Sequence, residues 1–152
     1  MKKLNIVIAT GLLALGGFGF THTPANRVDD SHPIVGLWDV NYTSDNAEPL
    51  FHTFDQWHND GLEFEVNNVA PGAVCQGTWT RTSARGIKLV HVGFVFDPTG
   101  ALVGPFQEMQ EDTVSRDGKT YSGTYDTKYY DTNGNLLQED TGTIHATRIT
   151  AE

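Results

Sequence analysis

Phe51–Val66 reads FHTFDQWHNDGLEFEV, two short strands joined at His58-Asn59-Asp60-Gly61. The four turn residues match a type I turn followed by a residue at positive φ, which Gly adopts without a Cβ clash. The same punctuation recurs at Ser83-Ala84-Arg85-Gly86, Asp97-Pro98-Thr99-Gly100, Ser115-Arg116-Asp117-Gly118 and Asp131-Thr132-Asn133-Gly134. With breaks near Ser44–Pro49 and Val69–Gly72, these turns cut the chain into eight segments. The expected strands are 34–43, 50–58, 62–68, 74–82, 87–96, 102–115, 119–131 and 135–149. Abundant Gly, Thr and aromatic residues favour strands and tight turns, and no segment keeps a 3.6-residue period. Eight consecutive hairpin-linked strands predict an all-β fold, an eight-stranded antiparallel up-and-down β-barrel, with an open two-sheet sandwich as the rival.

Outside that meander the chain has a targeting layout. Lys2 and Lys3 precede an apolar, Gly-interrupted run from Leu4 to Phe20, then small and polar residues. This predicts a signal peptide over 1–25, a polar leader over 26–33 and the barrel domain over 34–150, in a secreted or periplasmic protein. A chain of 152 residues is long enough for one domain with a real core. Loss of Lys2 and Lys3 takes the formal charge from −9 to −11. An acidic chain disfavours nucleic acid and, after signal cleavage, a membrane surface. The single Cys75 has no internal disulfide partner and reads as an inert core thiol.

In a three-residue hairpin, the residues flanking the turn pair and share a face. Ser83 is then expected opposite Ile87, Trp79 opposite His91, His91 opposite Gln107, Met109 opposite Tyr125, and Glu111 opposite Gly123. This predicts an interior containing Trp79, His91, Met109, Glu111, Tyr121, Tyr125 and Tyr129. In the opening hairpin it places Phe54, Gln56, His58, Leu62, Phe64 and Val66 inside, with Glu63 and Glu65 in solvent. Val90, Val92, Phe94 and Phe96 make the outer face of strand 87–96 apolar as well, which suggests a homo-oligomer contact or a covering element there.

Gly36-Leu37-Trp38 opens the first strand and Arg148 sits near the end of the last. In this the chain resembles the lipocalins and wider calycin barrels, where a G-x-W at the start of the first strand lies under the barrel and a late Arg packs across it. Residues 34–38 and 146–149 fall at one end if the strands alternate in direction. The chain departs from the family in having no disulfide pair and no second family motif in its later loops. The resemblance implies a cup for a small, largely apolar molecule, its mouth opposite Trp38.

Two functions from different classes fit these residues. One is a binding protein for a small apolar or aromatic molecule, lined by Trp79, Met109, Tyr125 and Tyr129, with His91 and Gln107 orienting a polar group. The other is a cofactor-free isomerase, cyclase or lyase with His91 as base and Glu111 or a Tyr hydroxyl as acid. A secreted structural or interaction domain is a third option. Trp38, His58 and Arg148 are expected to close the barrel. No metal-ligand spacing, phosphate loop or nucleophile elbow is present, so neither metal nor cofactor is expected.

Overall fold

The computed structural model describes residues 31–46, 49–68 and 74–151. The expected signal peptide, 1–25, and residues 26–30 of the leader lie outside the described residues. Eight strands form one closed antiparallel barrel in sequence order: β1 (Gly36–Ser44), β2 (Pro49–Trp57), β3 (Leu62–Asn67), β4 (Val74–Arg81), β5 (Gly86–Phe96), β6 (Leu102–Val114), β7 (Thr120–Tyr130) and β8 (Leu136–Ile149). β8 closes on β1, with Trp38 directly opposite Arg148. Closure satisfies the edges that an open sheet would leave raw.

Four of the five expected Gly turns hold their glycine at positive φ: Gly61, Gly100, Gly118 and Gly134. At the fifth, the amides of both Thr82 and Ser83 donate to the Gly86 carbonyl, and the Ser83 hydroxyl accepts from the Gly86 and Arg85 amides. The pairing of β4 with β5 therefore moves by two residues, so Trp79 faces Leu89 and His91 faces Gly77. A two-residue shift keeps every side chain on its expected face.

β6 is different. A bulge between Val95 and Phe96 slips its register by one, so His91 pairs with Glu108 rather than Gln107. One residue flips the whole strand. Glu108, Gln110 and Asp112 are buried, while Gln107, Met109 and Glu111 point outward, correcting the expected interior of this strand. The next turn runs one residue long, with Ser115 bonded to Thr120. This second slip cancels the first, and β7 returns Tyr121 and Tyr125 to the interior.

The opening hairpin has the expected pairing and the opposite faces. His58 bonds to Leu62, and Phe54 lies opposite Val66. However, β1 pairs Trp38 with Asp55, and Trp38 is fully buried. Asp55 must follow it inward, and Trp57, Glu63 and Glu65 with it. Phe54, Leu62, Phe64 and Val66 instead lie outside. Val90 and Val92 of β5 join Leu62 and Phe64 there around a groove of about 350 Å³. Barrel closure overrides local hydrophobicity.

One end of the barrel is plugged by aromatics. Trp38 and Tyr121 meet edge to face at 4.9 Å, and Trp57 reaches Tyr121 and Trp79 at 6.0 and 6.1 Å. Buried His32 packs on Trp79, and the Trp38 indole donates to the Ile34 carbonyl. Glycines let neighbouring strands approach where the barrel bends. At Gly142 an added Cβ would run into the Thr43 carbonyl oxygen on β1 and the Tyr125 ring on β7. Neither strand has slack, so Gly142→Ala is expected to destabilise the fold by about 2 kcal/mol or more. A thermal melt matching the parent would contradict this close approach.

Candidate functional site

Above the aromatic plug the interior is acidic. Among the described residues six carboxyl side chains are buried, on Asp55, Glu63, Glu65, Glu108, Asp112 and Asp140, and no Lys or Arg is buried with them. They come from β2, β3, β6 and β8, each strand contributing alternate positions to the inner face. An ionised carboxylate in such a place is costly unless it is paired, hydrogen-bonded or protonated.

Hydroxyl and amide donors answer part of that cost. Glu108 accepts from Gln110 Nε2 at 2.6 Å and Thr127 Oγ1 at 2.5 Å. The Tyr42 hydroxyl bridges Glu65 and Glu108, 3.3 Å from each, and itself accepts from Gln110. Asp55 accepts from Thr53 and Tyr121, and Asp140 from Ser44 and Tyr125. Asp112 has no hydrogen-bond partner on either oxygen.

Protonation answers the rest. Burial, reinforced by the charges of Glu108 and Glu63, pushes Asp112 up to about 8. Burial pushes Glu65 up to about 7 against the opposing pull of His91. Asp55 is raised well above the carboxylate range by burial and by Glu65 and Glu63.

The one buried base in this network is His91, whose Nδ1 lies 3.1 Å from Glu63 Oε2 with both side chains enclosed. Burial alone would lower the imidazole pKa. Contacts with Cys75 and Glu63 and the charge of Glu65 outweigh it and raise the pKa well above its ordinary value. Phe106 stacks on His91 at 5.8 Å, and Tyr129 packs on Phe106 at 6.0 Å. Phe106, Tyr129 and Asn67 are half-buried, whereas the plug around Trp38 is sealed. At the end away from the plug the barrel interior is therefore acidic, with Phe106 and Tyr129 beside it.

The residues predicted from sequence separate into three groups. His91, Tyr125 and Tyr129 line this interior, while Trp79 belongs to the plug, its indole donating to the His58 carbonyl. Gln107 and Met109 are on the outer surface, and Glu111 is exposed there beside Lys88 at 3.5 Å. Glu111 and His91 therefore share no cavity. Trp38 and Arg148 form the closing pair, the guanidinium 4.1 Å over the indole ring. His58 lies outside that pair, half-buried, its ring against Phe64 on the outer side.

Sequence reasoning missed Asp55, Glu63, Glu65, Glu108, Asp112 and Asp140. One signal was present for the hairpin: a Trp38 that faces inward fixes the face of whatever β1 pairs with. By fold and site the protein is a closed antiparallel barrel with one aromatic-sealed end and one acidic end. The chain matches no protein-family model and no curated protein.

Proposed function

We propose that this is an exported, lipocalin-like binding protein whose acidic cup takes up a small cationic molecule. The observation that carries this is the burial of six carboxyl groups among the described residues, with no buried Lys or Arg among those residues to balance them. A guest bearing an ammonium group would favour ionisation of these carboxyls and add a positive charge beside that of His91. Phe106, Tyr125 and Tyr129 would pack its apolar part and add cation–π attraction. The acidic lining favours a charged guest over the wholly apolar one that a lipocalin resemblance implies. Export rests on the basic and then apolar layout of the first twenty residues.

Tryptamine and its neutral counterpart tryptophol test the charge requirement. Tryptamine is expected to raise the melting temperature by several degrees when present well above its dissociation constant. Tryptophol is expected to leave it unchanged. Glu108→Gln is expected to weaken tryptamine binding by about tenfold or more in calorimetry, because a hydrogen bond to a charged group is lost. Equal binding of both molecules, or of neither, would overturn the reading.

The enclosed His91–Glu63 pair favours a second reading, proton transfer on a bound molecule with Glu63 in the role expected of Glu111. Its signature is turnover lost in His91→Ala while the guest still binds.

A further inference from the structure

We propose that Glu65, Cys75 and His91 form a binding site for a divalent transition-metal ion of the zinc type within the acidic cup. A carboxylate oxygen of Glu65, the Cys75 sulfur and a His91 ring nitrogen all lie within 4.8 Å of one another, and all three residues are buried. Tetrahedral coordination at the usual metal–ligand lengths separates ligand atoms by about 3.5 Å, so the three need only small side-chain movements to close on an ion. The inference rests on the cup being a cation site, and it names one cation and its ligands.

The strand register builds this cluster. Glu65 and Cys75 are direct partners across β3 and β4, and His91 on β5 faces Gly77, two residues along from Cys75. Gly93 leaves the space that the thiol uses, since a Cβ there would sit 2.7 Å from the sulfur. No sequence motif announces the site, because its ligands come from three strands.

A second observation points to a ligand independently. His91 is 1% exposed, and both of its ring nitrogens are buried with no hydrogen-bond partner. Nδ1 faces the Glu63 carboxylate, which would fix the tautomer and leave Nε2 to ligate, the usual carboxylate–histidine–metal arrangement. Asn67 donates to Glu65 Oε1 at 3.1 Å and lies 3.9 Å from the Cys75 sulfur, so it orients two of the three ligands. A thiolate, an imidazole and a carboxylate together select zinc, cobalt or copper over magnesium or calcium. The ion's two positive charges would balance the Cys75 thiolate, formed as its proton leaves to solvent, and the Glu65 carboxylate. Three protein ligands leave a fourth position for water or a guest.

The test is a cobalt(II) titration of chelator-treated full-length protein. One equivalent is expected to bind with a near-ultraviolet thiolate-to-cobalt charge-transfer band. Cys75→Ser is expected to abolish that band. Losing even an outer partner of a metal ligand costs about ten- to a hundredfold in affinity, so Glu65→Gln is expected to weaken binding at least that much. Glu111→Gln, on the outer face, is expected to leave affinity and band unchanged. Cobalt bound without the band, or an affinity indifferent to Glu65→Gln, would overturn the site. No cobalt binding by a protein that still binds tryptamine overturns the metal site alone, whereas failure of both cations overturns the acidic cup itself.

Discussion

Asp112→Asn is expected to raise the melting temperature at pH 8, and to raise it far less at pH 5. Asp112 is buried, has no hydrogen-bond partner, and keeps its proton up to about pH 8 in the folded protein. The unfolded chain releases that proton near the ordinary aspartate value of 3.8. Each pH unit between the two values therefore costs folding about 1.4 kcal/mol. Asparagine has the shape of the protonated acid and cannot ionise. The gain at pH 8 should exceed that at pH 5 by on the order of 3 kcal/mol, roughly ten degrees for a domain of this size.

The parent protein carries the same sign at Asp55 and Glu65, whose carboxyls are also raised. His91 adds to it, because a raised imidazole pKa gives stability that is lost as pH climbs through the folded value. The parent should thus melt higher near pH 5 than near pH 8. An Asp112→Asn variant that melts lower than the parent at pH 8, or gains equally at both pH values, would contradict this.

Arg148→Ala is expected to cost about 3–5 kcal/mol of unfolding free energy, with Arg148→Lys recovering less than half. The guanidinium covers the buried Trp38 ring and donates to the carbonyls of Gly118 and Val35 at 2.6 and 2.9 Å, and to that of Pro33. It ties the chain's entry into β1 to the turn before β7. Gly36, at φ 139°, makes room for it, since an added Cβ there would sit 2.5 Å from Nη1. A lysine ammonium cannot reach three carbonyls while lying flat on an indole. Urea titration reads the difference. A loss under about 1 kcal/mol, or full recovery by lysine, would show that the plug stands without the guanidinium.

These two residues also mark what the sequence made legible. Arg148 and Trp38 were readable because their roles depend on position at the strand ends, which the turn pattern locates well. All eight strands fall within two residues of expectation for the same reason. Faces were harder, since a face depends on parity and one extra residue reverses it. The Val95–Phe96 bulge moved Glu111 out and Glu108 and Asp112 in, and nothing in that local sequence marks it. In the opening hairpin, Phe54, Leu62, Phe64 and Val66 invited burial by hydrophobicity. The β1–β2 register gave that place to Asp55, Glu63 and Glu65 instead. The acidic cup was illegible because burying carboxyls runs against the rule by which faces are normally assigned.

A side-chain carboxyl titration by carbon-13 NMR tests the buried acidic interior most directly. The prediction is that Asp112 titrates at about 8 and Asp55 well above the ordinary carboxylate range. Every Asp and Glu titrating near its ordinary value would mean that these carboxyls face solvent, and the acidic cup with its cation would fall together.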